Sequence, residues 1–221
     1  IYLKIMYVFD DKKYFRVNLR RSIQMAIIAS IKRFILPKKR TPQNKYIQIG
    51  CGFQKFDNFD NLDFYNSSFS FWKKPKYIPH DFRYKLPFDD NSYHGAFSEH
   101  VVEHLYFEES KFLLKEICRV IKKDCIFRCT VPGLDIYIDN YNNKKKDKYF
   151  SEFTSGCDAI RDLTCNYGHL SVWDEETLKR ELLNAGFSTV NIYKFGEGEN
   201  SDLIKDQKER AFQTIYLEAK K

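Results

Sequence analysis

No stretch of the 221-residue chain carries about 18 consecutive apolar residues, so no transmembrane helix is implied. Neither a cleavable signal pattern nor an internal repeat is visible. The first residue is Ile and not Met, so the native start is expected upstream. Six cysteines (51, 118, 125, 129, 157 and 165) form no Cys-x-x-Cys pair and no metal-ligand spacing with histidine. They read as free thiols in a reducing cytoplasm, and no metal is expected.

A large net charge is also missing from most of the chain. The net charge is +7, but residues 1–45 hold 12 Lys/Arg against 2 Asp. That arm carries +10 and leaves the remainder at −3. A nucleic-acid face would be a basic patch on the fold itself, so the acidic remainder makes nucleic acid an unlikely partner. The arm contains a helical pattern over 20–36, with Ile23, Ile27, Ile31 and Phe34 at helical spacing and Pro37 as the stop. Two readings stay open for it: a helix covering one edge of the domain, or one lying on a membrane surface. The expected division is a basic arm over 1–44 and one domain over 45–221.

With 43% hydrophobic and 17% aromatic residues, that domain can bury a sizeable core. Its organising stretch is Tyr46-Ile47-Gln48-Ile49-Gly50-Cys51-Gly52, a short strand running into a Gly-x-Gly turn. Glycine at 50 and 52 lets a ligand approach the backbone and permits dihedrals that other residues avoid. Asp63 ends a second extended segment, where a carboxylate can accept two hydrogen bonds from a ribose diol. A dinucleotide fingerprint would need a third glycine where Lys55 stands.

Further strand patterns cover 77–81, 93–98, 126–131, 187–193 and 212–219, with helical patterns over 103–121 and 174–185. Asp174 suits a cap, and Gly186 suits the residue just past a helix end. Residues 134–172 are less regular, and Lys144-Lys145-Lys146 reads as an exposed loop. Alternating strands and helices argue an α/β domain with a largely parallel sheet and a late antiparallel pair.

Taken in order, these segments resemble the class I methyltransferases that use S-adenosylmethionine. The resemblance spans roughly residues 45–220. It rests on Tyr46–Gly52, Asn61-Leu62-Asp63, Asp81–Phe88, the Ser98-Glu99-His100-Val101-Val102-Glu103-His104-Leu105 stretch, and Leu114–Lys122. The tail, Ala185-Gly186-Phe187 and Tyr216–Lys220, is similar to a bacterial subgroup often linked to surface-glycan biosynthesis.

The resemblance implies a Rossmann-like seven-stranded sheet with its last strand antiparallel. It also implies a cofactor across the carboxyl ends of strands one, two and four. Gly50, Cys51 and Gly52 would meet the methionine end and Asp63 the ribose. Asp81 and Phe82 would meet the adenine, and Ser98 would border the sulfonium. The family usually carries an acid where His94-Gly95 stands, which bears on activity.

Methyl transfer needs alignment and, for a hydroxyl acceptor, a base. His100, just after the fourth strand, is the expected catalytic residue, with packing of the next helix as its alternative role. His104 and His169 are weaker candidates. The expectation is a cytoplasmic enzyme, peripheral to the membrane at most, acting on a small-molecule or sugar acceptor. A methyltransferase-like scaffold without catalysis and an RNA methyltransferase are the alternatives. The oligomeric state and the methylated atom stay open.

Overall fold

The computed structural model describes residues 39–64, 77–142 and 148–221. The helical pattern over 20–36 and the lysine run at 144–146 lie outside the described residues.

All four residues of β1 (Tyr46–Ile49) are buried, as a central parallel strand requires. β2 (Phe59–Asp63), β3 (Ile78–Pro79), β4 (Tyr93–Glu99), β5 (Ile121–Pro132), β6 (Thr189–Tyr193) and β7 (Thr214–Lys220) complete one sheet in the order β3-β2-β1-β4-β5-β7-β6. β7 alone runs antiparallel to both its neighbours; the pairs from β3 to β5 are parallel. The expected seven-stranded, mostly parallel, Rossmann-like sheet is present. After β3 the chain crosses to β4, on the other side of β1. The carboxyl ends of β1 and β4 therefore border the crevice at the switch point of the strand order.

Helix α1 (Phe107–Val120) buries Leu113, Leu114, Ile117 and Val120. Together with Leu178 and Leu182 of helix α4 (Glu175–Asn184), these side chains pack with Ile47, Ile49 and Phe127 of the sheet. The expected cap is present at α4: Asp174 accepts from the Thr177 N–H at 2.8 Å. Gly186 follows the helix with φ +107°, the left-handed conformation that ends it. The helical pattern over 103–121 divides into a 3₁₀ turn at Val102–His104 and α1, because Leu105 is extended between them.

The segment after β5 is more ordered than its pattern suggested. Helices α2 (Leu134–Tyr141) and α3 (Gly156–Cys165) share a small core of Tyr137, Phe150, Ala159 and Leu163, separate from the main one. These helices are only two to three turns long, which is short for a sequence period to declare itself.

The linker residues lean on the domain. The Gln43 N–H and the Asn44 side chain both donate to buried Asp60, as does the Tyr93 hydroxyl at 2.7 Å. No helix among the described residues is long and apolar enough to cross a membrane.

Candidate active site

A cavity of about 1260 Å³ opens at the carboxyl ends of β1, β2 and β4. Single ligand sites run to ~300–1,000 Å³, so this one has room for a cofactor and an acceptor together. Gly50, Cys51, Gly52, Asp63, Asp81, Phe82 and His100 all line it. Ser98 does not. It is fully buried in β4, while its neighbours Phe97 and Glu99 reach the cavity on the alternate face of the strand. The expectation that Ser98 borders a ligand is corrected accordingly.

Two glycines shape the first wall. Gly50 has φ +73°, and a Cβ there would stand 2.1 Å from Val101 Cγ2. Gly52 has φ +51°, and a Cβ there would meet nothing within 4 Å. Gly50 therefore serves packing, whereas Gly52 borders open space. Cys51 is buried against Asp63, its Sγ 3.8 Å from Oδ2, and burial pushes its thiol up to about 12.

Asp63 holds the turn. Its Oδ2 accepts from the Gly52 N–H and its Oδ1 from the Phe64 N–H, both at 2.6 Å. Burial raises its pKa above the ordinary 3.8, and those two amides oppose the rise. Oδ2 also faces the Cys51 thiol at 3.8 Å, so Oδ1 keeps the freer lone pair for a ribose hydroxyl. Asp81 is less free than expected, since Arg83 Nε and Nη2 clamp its two oxygens at 2.9 and 2.7 Å. A ligand amine there would share a carboxylate already paired in fork geometry. Phe82 is a buried ring that lines the cavity.

His100 sits at φ +53° with its ring buried. The Thr214 hydroxyl donates to the Arg210 carbonyl at 2.7 Å, so His100 Nε2 donates to Thr214 Oγ1 at 2.8 Å. Its Nδ1 faces Glu103 Oε1 at 3.6 Å. Both nitrogens are turned into protein, and burial holds the imidazole neutral, well below 6.5. The ring braces the end of β7 against the turn after β4, and is not poised to take a proton from a ligand.

Sequence reasoning missed the group better placed for that. Glu99 ends β4, lines the cavity, and accepts from the Gln207 N–H through Oε1 at 2.8 Å. Its Oε2 has no hydrogen-bond partner among the described residues. Burial raises its carboxyl above the ordinary value. Gln48 likewise lines the cavity with a buried, unpartnered Oε1. Arg210 and Gln207 come from a segment about 110 residues beyond β4 in sequence, with no local signal to announce them. Phe53, 98% exposed, stands at the mouth.

His94 and Gly95 lie away from this cavity. Gly95 pairs with Ile126, and His94 Nε2 accepts from Lys122 Nζ at 2.6 Å on the surface.

Residues 58–129 match the family described as "Methyltransferase domain". The matched segment runs from just before β2 into β5, about a third of the chain. Among solved structures, the methyltransferase chain is similar to a SAM-dependent methyltransferase from Archaeoglobus fulgidus, at 20% identity and TM-score 0.52, covering 91% of this chain and 94% of that one. It is also similar to a SAM-dependent methyltransferase from Thermotoga maritima, described as a possible histamine N-methyltransferase, at 14% identity and TM-score 0.51, covering 90% and 99%. A third, from Mesorhizobium loti, aligns at 15% identity and TM-score 0.50 over 87% and 96%. No curated protein matches the chain. The residues present fit S-adenosylmethionine, the cofactor that the resemblance implies: open space beside Gly52, an accepting lone pair on Asp63, and a buried Gln48 oxygen with no partner among the described residues.

Proposed function

We propose that this methyltransferase transfers a methyl group to a small-molecule or glycan-precursor acceptor bound beside Glu99 and Arg210. One observation carries the reading: a single cavity joins the Gly50–Gly52 turn and Asp63 to a second wall of Glu99, His100, His104 and Arg210. The first wall suits a nucleoside, and the second is polar and charged.

In this reading Gly52, Cys51 and Gly50 lie along the methionine portion, Asp63 takes the ribose hydroxyls, and Asp81 with Phe82 flanks the adenine. The bound cofactor supplies an electrophilic methyl group on a sulfonium. The protein's own part is alignment, which can supply ~7–11 kcal/mol. Glu99 would accept a proton or hydrogen bond from the acceptor, its Oε1 kept in place by Gln207. His100 is assigned as a positioning residue, holding the turn after β4 against Thr214.

Arg210 lines the cavity beside these groups. Its guanidinium supports an acceptor bearing an anionic group, such as a phosphate-linked sugar. A cytoplasmic setting is consistent with that chemistry.

Calorimetric titration of the chain with S-adenosylmethionine and its demethylated product, repeated on Asp63→Ala, tests the cofactor half. Turnover with phosphorylated sugars, repeated on Arg210→Ala, tests the acceptor half. A folded chain that binds neither nucleoside would overturn the reading.

A further inference from the structure

Glu103 is fully buried, and neither of its carboxylate oxygens has a hydrogen-bond partner among the described residues. An ionised carboxylate in that position is costly unless a cation meets it. Three imidazoles face it: His100 Nδ1 stands 3.6 Å from Oε1, but that ring is held by Thr214 at its other nitrogen and stays outside the ligand group. His104 Nε2 and His169 Nε2 each stand 4.0 Å from Glu103 Oε1. Each ring is turned by a backbone carbonyl at its other nitrogen. His169 Nδ1 lies 2.6 Å from Leu163 O, and His104 Nδ1 lies 3.4 Å from Gly168 O. A carbonyl can only accept, so the proton sits on Nδ1 and the lone pair of Nε2 points toward Glu103. That is the tautomer control found around metal-binding histidines.

We propose that Glu103, His104 and His169 bind a divalent cation of the zinc type in the wall of the cavity beside Glu99. Their ligand atoms all lie within 4.8 Å of one another, the one such group among the described residues. Ligands on one tetrahedral zinc ion stand about 3.4 Å apart, given bonds of about 2.0–2.1 Å. The two 4.0 Å separations therefore need to close by well under an ångström, and the third, within 4.8 Å, by at most about 1.4 Å. Two neutral imidazoles and a carboxylate suit zinc and leave a fourth position open.

The backbone is built to hold the three together. Leu170 N–H and Ser171 N–H both donate to Glu103 O, at 2.8 and 3.1 Å. Tyr167 and Gly168, both at positive φ, turn the chain sharply just before His169. His104 is 40% exposed at its side chain and lines the cavity, so an ion has an entry path. His104 alone of the three lines the cavity, so an acceptor oxygen would reach the cation from its side. The cation would also staple the segment after α3 to the turn after β4.

The sequence hid this cluster. Neighbours such as Glu103 and His104 do not face each other on an α-helix, and His169 comes 65 residues later. Only the tight 3₁₀ turn brings the first pair to one side.

The experiment uses the untagged full chain, stripped with chelator, shown folded by circular dichroism, and titrated calorimetrically with zinc chloride. One ion per chain is expected, with a rise in thermal midpoint on loading. Cobalt should give the visible absorption of a four-coordinate N/O site. Loss of an outer-shell partner costs about 10–100-fold in affinity, so Glu103→Gln and His169→Ala are each expected to cost more than that. His104→Ala, at the partly exposed ligand, serves if either of those fails to fold. His94→Ala should change nothing. A folded wild-type chain that takes up no zinc, or a Glu103→Gln variant that binds it as tightly as wild type, would overturn the proposal. The readout needs no nucleoside, so it stands apart from the cofactor titration.

Discussion

The backbone N–H of Gly52 and the Oδ2 of Asp63 are 2.6 Å apart, and this bond ties the loop after β1 to the end of β2. A residue proposed to hold the ribose is thus also the residue that sets the loop lying under it. Hydrogen bonds to a charged group contribute about 1.5–3 kcal/mol each. Asp63→Ala is expected to weaken S-adenosylmethionine binding at least about tenfold, in a chain that remains folded by circular dichroism. The ionised carboxylate is the better acceptor, and burial has raised its pKa above 3.8. Affinity should therefore be full above that raised value and fall as pH drops through it. Asp63→Asn should abolish the pH dependence; a parallel decline in both proteins would assign it elsewhere.

The two glycines of the turn should separate stability from binding. Gly50→Ala drives a Cβ into Val101 Cγ2 at 2.1 Å and strains a backbone at φ +73°. Overpacking costs about 1–3 kcal/mol, and the left-handed backbone adds about 1–2. Gly52→Ala meets open space, so only the backbone term applies to the fold, while the new methyl occupies cofactor volume. Urea melts should show the larger loss for Gly50→Ala. Calorimetry should show weakened cofactor binding in Gly52→Ala under conditions where it is folded.

Much of this was legible in the sequence, for a physical reason. β1, the Gly-x-Gly turn and Asp63 are close in sequence, and the structure brings the turn and Asp63 to one cavity wall. The largely parallel character of the sheet follows from strands alternating with helices. What stayed hidden depends on separation along the chain. Gln207 reaches Glu99 across 108 residues and His169 reaches Glu103 across 66, distances at which periodicity carries nothing. His100 was expected as the base from its place after β4, with packing as its alternative, and its hydrogen bond to Thr214 is set by β7, 114 residues on. Ser98 was misplaced by one step of strand alternation, which turns a side chain to the opposite face.

Glu99 and His100 differ by one residue, and their substitutions should behave differently. A positioned general base contributes ~10²–10⁴ in rate. Glu99→Gln is expected to lower kcat within that range while leaving cofactor affinity intact. The groups facing Glu99 are Arg210, which lowers its pKa, and Asp206, which raises it along with burial. The net direction is upward, so the acid limb of the rate profile should sit above the ordinary glutamate value of 4.5 and vanish in Glu99→Gln. His100→Ala is expected to weaken the fold and lower kcat modestly without moving that limb. A limb that disappears with His100 and survives in Glu99→Gln would restore the imidazole as base.

The segment carrying Gln207 is anchored by a buried cation. Arg128 in β5 is fully buried and donates through Nε to Asp206 at 2.7 Å, and through Nη1 to Glu218 and the Glu197 carbonyl at 3.0 and 2.8 Å. Its attraction to two carboxylates offsets a large desolvation cost, so the cluster as a whole adds little net stability. Breaking it is another matter, because Asp206 and Glu218 would be left as unpaired buried acids. Arg128→Met is expected to destabilise the chain by about 3–5 kcal/mol in urea unfolding. The triple change Arg128→Met, Asp206→Leu and Glu218→Leu should recover much of that loss. The triple variant should still turn over poorly, because Asp206 Oδ2 also accepts from the Gly196 N–H at 3.0 Å. Without that carboxylate the loop presenting Gln207 to Glu99 loses its register. Recovery of stability together with full activity would show that Glu99 needs no such support.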